Sequence, residues 1–111
     1  MIPQDQIYQI ARNICDDIPK LLDKFHIEYE REHNRYVFPC PVHGGDNPTG
    51  CSIFFDGETC KGNWVCWTHH CEEDYGEYIL GFLQGVLSCR NDEEVTFPQV
   101  ISCAKSLISN A

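Results

Sequence analysis

Two short runs of metal-binding residue types constrain this chain more than any other feature: Cys40-Pro41-Val42-His43-Gly44, and Val65-Cys66-Trp67-Thr68-His69-His70-Cys71. Two soft ligands with two residues between them can reach one tetrahedral ion from a tight turn, and the glycine after His43 supplies the positive φ such a turn needs. The second run follows an aromatic-rich strand and offers the other half of one structural site. Cys66 with His69 repeats the first spacing, whereas Cys66 with Cys71 leaves four residues between ligands; both lie in the usual range, and spacing does not choose between them. Ligand softness favours zinc, with iron next. Cys51 and Cys60 are further thiols that could each add a ligand, although packing or exposure is the more ordinary role.

Eight cysteines is an even count, so a secreted scaffold of four disulfides is the competing reading. Cys15, Cys89 and Cys103 argue against it, because they fall within helical patterns where a reduced cysteine serves as a small buried apolar residue. The N-terminal stretch has no basic leader with an unbroken apolar run, and nothing later approaches the roughly 20 apolar residues of a membrane span. The expectation is one soluble domain over residues 1–111, cytoplasmic, or in the host cytoplasm if the source is viral. The formal charge of −9 opposes non-specific attraction to nucleic acid, and three thiolates on one zinc dication would make it more negative still. Any DNA contact must therefore be local and weak.

Hydrophobic periodicity gives an α+β reading: a zinc-ribbon-like small antiparallel sheet over 26–71, flanked by helical segments at 1–25 and 74–111. Ile7, Ile10, Ile14, Ile18, Leu21 and Phe25 recur at helical steps. Pro19 interrupts them, and the aspartates before it are good caps, so two short helices should meet near Asp17. Ile27, Tyr29 and Arg31, then Tyr36 and Phe38, alternate around a turn at His33-Asn34, which predicts a β-hairpin leading into Cys40. Strands follow at 51–55 and 63–67. From Asp74 the helical period returns through Tyr75, Ile79, Phe82, Leu83, Val86 and Leu87, with Gly81 and Gly85 one turn apart for close packing. Thr96 and Gln99 are spaced as a capping box with Pro98 in the first turn of a last helix.

The order Cys-Pro-x-His, loop, aromatic-rich strand, second strand, paired cysteines and helix resembles the N-terminal zinc-binding domain of DNA primases, especially bacteriophage and bacterial primases and primase-helicases. The resemblance runs from Arg35 to Leu87, about half the chain. It implies Cys40, His43, Cys66 and Cys71 as ligands of a single structural zinc ion. Four residues between the last two cysteines, where two are commoner in that family, keep His69 as the alternative. The resemblance also implies that the domain is not itself the catalyst. It would help recognise single-stranded DNA template during primer synthesis in replication, beside separate polymerising and helicase domains that are too large for the residues here. On that reading the chain is an excised domain or a free-standing relative.

Strand alternation is expected to place Trp64 and Trp67 on a common face, where they would stack on exposed bases or else fill the core of a small domain. Lys61, Arg35, Arg31, His69 and His70 are the candidate phosphate or base contacts nearby. The acidic groups at 72–74 and 92–94 should mark the far side, or a face that meets a basic partner. Two other readings compete: a zinc-stabilised adaptor that binds protein and no nucleic acid, suggested by the charge and the paired glycines, and a redox-responsive zinc module using a spare thiol such as Cys51 or Cys60.

Overall fold

A computed structural model describes residues 4–45, 47–54, 63–76 and 78–109. Among them are five helices and one four-stranded antiparallel sheet, with helices at both ends: an α+β fold, as the periodicities predict. Helices α1 (Gln4–Cys15) and α2 (Ile18–Lys24) break where proline and cap dictate. Asp17 caps α2 by accepting from the Lys20 amide, and Pro19 sits in the first turn, where its missing N–H costs nothing.

The hairpin is present but short on its first side, β1 (Glu30–Arg31) pairing with β2 (Arg35–Phe38). Strands β3 (Cys51–Phe54) and β4 (Trp64–Cys66) complete the order β1-β2-β3-β4. The register places Phe38, Cys51 and Cys66 in one cross-strand row and Tyr36, Ile53 and Trp64 in the next. Residues directly opposite share a face, so these two rows form the inner face.

The single helix expected from Asp74 is two. Gly76, at φ +99°, ends α3 (Glu72–Tyr75), and α4 (Ile79–Asn91) starts afresh. Gly81 explains why they lie so close: a Cβ there would strike the carbonyl oxygens of Gly76 and Tyr75. Helix α5 (Phe97–Ser109) begins with the Thr96 amide and hydroxyl both donating to Gln99 Oε1, the reciprocal half of a capping box.

Helix α4 lies against the inner face of the sheet. Phe82 is fully buried and meets Phe38 and Trp64 edge-on, with ring centroids 5.7 and 5.2 Å apart. Such aromatic pairs are worth about 0.5–1.5 kcal/mol beyond their burial. Ile10, Ile14, Ile18 and Leu21 from the first two helices, with Val100, Ile101 and Ala104 from α5, extend the same core. No helix among the described residues is long and apolar enough to cross a membrane. Of the cysteines placed in helices, Cys15 is buried and Cys103 partly so, but Cys89 is exposed: the start of the helix faces the core, and its last turn runs into solvent.

Candidate metal centre

Cys40 leaves the end of β2 after Pro39 and enters a tight turn closed by the Gly45 amide donating to the Cys40 carbonyl at 2.9 Å. Gly44 takes φ +68°, the left-handed conformation expected after the second ligand. Gly45 leaves room for the imidazole, since a Cβ there would stand 2.6 Å from His43 Nε2. The turn is pinned from below by α4, where Gly85 is so close to Val42 that a Cβ would meet its methyls at 2.9 and 3.1 Å. The paired glycines therefore serve close packing, one against α3 and the other against the ligand turn.

The second half is a knuckle between β4 and α3. The His69 amide points at Cys66 Sγ at 3.4 Å, and the His70 amide donates to the Cys66 carbonyl at 3.0 Å. Glu72 Oε1 accepts from the Cys66 amide at 2.7 Å, which satisfies a donor on the outer edge of β4. Glu72 also faces His70 at 3.3 Å. Cys71 stands at the start of α3, which carries its sulfur back to the first turn.

The ligand atoms of Cys40, His43, Cys66 and Cys71 all lie within 4.8 Å of one another, close enough to hold one metal ion. Bond lengths of about 2.3 Å to sulfur and 2.0–2.1 Å to nitrogen at tetrahedral angles require roughly 3.8 Å between sulfurs and 3.6 Å between sulfur and nitrogen. Cys40 and Cys71 Sγ are 4.0 Å apart, and His43 Nδ1 is 3.3 Å from Cys71 Sγ and 3.5 Å from Cys66 Sγ. Nδ1 is thus the imidazole atom facing the sulfurs, while Nε2 looks outward to Thr68 Oγ1 at 3.4 Å. The three sulfurs are buried and the imidazole is exposed, so the site has an inner floor and an outer rim.

The electrostatics are compatible with a bound cation. A hydrogen bond from the Cys51 thiol, helped by the backbone amides of His43 and Val42, pulls the Cys40 thiol down to about 4. Burial pushes the Cys71 thiol up, and the charge on Cys40 pushes it further. Crowded sulfurs resist a second negative charge unless a dication shares them. An ion held by all four donors has no open position for a reactive water, which is the arrangement of a structural site.

Among the other candidates, His69 is outside the donor group. Its exposed ring lies against that of His43, centroids 4.2 Å apart, and its backbone makes the knuckle bond to Cys66. The expectation of a common face for the tryptophans fails, because residues three apart on an extended strand point to opposite sides. Trp64 is wholly buried on the inner face, with Nε1–H donating to the Gly76 carbonyl at 2.7 Å, and has no surface to offer a base. Trp67 is on the outer face, 49% exposed, with Nε1–H on Ser52 Oγ at 3.1 Å. Phe54, on the same face, is half-buried. Arg35 is half-buried on that face too and pairs with Glu32 at 2.9 Å. His70 is exposed beside Glu72, and Asn47 orders its loop by accepting from the Thr49 amide and hydroxyl. Lys61, Cys60 and Asp46 lie outside the described residues.

Sequence reasoning overlooked two contributors. Glu72 appeared only as part of an acidic run, and Cys51 as a spare thiol whose ordinary role is packing, with no place assigned to it beside Cys66. Glu72 is six residues beyond Cys66, a separation that becomes a contact only when the knuckle folds back. Comparison with family models, curated proteins and solved structures found no match to this chain.

Proposed function

We propose that this chain is a zinc-stabilised, primase-type domain that contacts single-stranded DNA template through the outer face of its sheet. The observation that carries this reading is the convergence of Cys40, His43, Cys66 and Cys71 on one point, with Trp67 of the same knuckle half-exposed beside it. Three thiolates and one imidazole are a donor set suited to zinc. The ion's role here is shape: it clamps the turn after β2 to the knuckle after β4 and thereby holds Trp67 in place.

Base stacking on an exposed aromatic ring is worth about 1–3 kcal/mol and tolerates any sequence. Trp67 and Arg35 occupy the same face, two strands and four strand positions apart, or about 16 Å at ordinary strand spacings. That is a span for a few nucleotides, with Trp67 stacking and Arg35 leaving Glu32 for a phosphate. The net charge of −9 means that affinity must come from such local contacts. The polymerising and helicase domains of a primase would be the protein partners, in the cytoplasm.

The test is fluorescence anisotropy of labelled single-stranded oligonucleotides with the zinc-loaded chain at low and moderate salt, for wild type, Trp67→Ala and Arg35→Ala. Trp67→Ala should weaken binding by about 1–3 kcal/mol, and Arg35→Ala should reduce the salt dependence. No binding by the wild type at low salt would refute template contact and leave the protein-binding adaptor.

A further inference from the structure

Cys51 lies outside the four-residue donor group, buried beside it on the inner face of the sheet. In the ladder between β3 and β4, Trp67 N–H donates to the Gly50 carbonyl and Phe54 N–H to the Asn63 carbonyl, each at 2.8 Å. Hydrogen-bonded pairs alternate with non-bonded ones, so Cys51 and Cys66, which face each other in the register, are a non-bonded pair. In such a pair the Cα atoms approach to about 4.5 Å and the side chains stand closest. Cys51 therefore stands beside the ligand-bearing Cys66, from the buried side. Cys40, Cys51, Cys66 and Cys71 are all buried, whereas His43 is the one exposed donor of the cluster.

The four buried sulfurs of Cys40, Cys51, Cys66 and Cys71 match the number of donors a tetrahedral site takes. We propose that the pocket holds two alternative ligand sets that share Cys40, Cys66 and Cys71: one closed by His43 from outside, the other by Cys51 from inside. A borderline ion such as zinc takes the imidazole. A softer, thiophilic dication such as cadmium, or a chain lacking the imidazole, recruits Cys51, in keeping with the preference of soft ions for thiolates. In the exchange the metal–nitrogen bond to His43 breaks, the Cys51 S–H bond breaks, a metal–sulfur bond forms, and the proton leaves to solvent past the exposed imidazole. The inference rests on the metal-site reading and extends it to a softer class of ion and to retention of the ion when the rim ligand is lost.

The experiment uses the whole chain in four forms, wild type, His43→Ala, Cys51→Ala and the double variant, each titrated with cobalt(II). Sulfur-to-cobalt charge transfer grows with the number of thiolates, so His43→Ala should absorb about one third more strongly than wild type, four sulfurs against three. The double variant should fall back to the three-sulfur intensity, and Cys51→Ala alone should match wild type. Cadmium-113 NMR of wild type and Cys51→Ala provides the same sulfur count without disturbing His43: the resonance should move from the four-sulfur to the three-sulfur range when Cys51 is removed, and it decides the matter if His43→Ala does not fold. Three-sulfur spectra in every form overturn this inference and leave the zinc site standing. Failure of the wild type to bind either ion overturns both.

Discussion

Replacing Gly81 with alanine sets two effects of known size against each other. In a helix interior alanine is favoured over glycine by about 1 kcal/mol, an upper bound for Gly81, which lies in the first turn of α4. Against this, the new Cβ would lie 2.5 Å from the Tyr75 carbonyl oxygen, where ordinary contact begins at 3.4 Å, and would meet the Gly76 oxygen as well. Helices α3 and α4 must part by at least about 0.9 Å, because the Gly76 oxygen is nearer still, and the atoms in the way are backbone, which cannot swing aside. Overpacking of this kind costs about 1–3 kcal/mol. The Gly76 carbonyl also holds the buried Trp64 Nε1–H, so displacing it endangers a hydrogen bond worth about 1 kcal/mol more. Steric cost wins, and Gly81→Ala should lose about 1–2 kcal/mol net. Because α3 begins immediately after Cys71, the same movement should also loosen the ion. Urea unfolding of the metal-loaded chain gives the first quantity, and competition with a chromophoric chelator gives the second. A variant more stable than wild type by the helix-propensity increment, with unchanged metal affinity, would refute the reasoning and show that the α3–α4 contact yields freely.

Two further expectations follow from the site. Elemental analysis of chain purified without added metal should find one zinc in wild type and in His69→Ala, and a large loss in Cys71→Ser; the reverse pattern would move the fourth ligand to His69. In the metal-free chain, the depressed Cys40 value means that its thiolate stabilises the fold fully above the unfolded thiol value, with the contribution lost as pH falls through about 4. Chelator-treated protein should accordingly become easier to unfold in urea as pH drops from neutrality toward 4, and Cys51→Ala, which removes the hydrogen bond chiefly responsible, should move that loss to higher pH.

Much of this protein is local and therefore legible in one dimension. Periodicity located the helices and strands because each buries a single face, and the break at Asp17, the turn at Gly44 and the cap at Thr96 are written in the residue types that such geometry requires. The pair Cys40 and His43 is legible for the same reason, since one tight turn brings both to the ion. Other features depended on which segments meet. Two spacings allowed a partner for Cys66, and only the fold of the knuckle onto the Cys40 turn brings Cys71 inward while His69 lies across the His43 ring. Three residues apart, Trp64 and Trp67 must point to opposite sides of the strand, but only the packing of α4 on one face decides that Trp64 is wedged against Phe82 while Trp67 is half-exposed. Cys51 shows the limit most plainly: nothing in its neighbours along the chain distinguishes it from a packing residue, and strand register alone sets it opposite Cys66. Local geometry is encoded in adjacent residues, but a metal pocket is assembled from distant ones, and their meeting is a property of the packed chain.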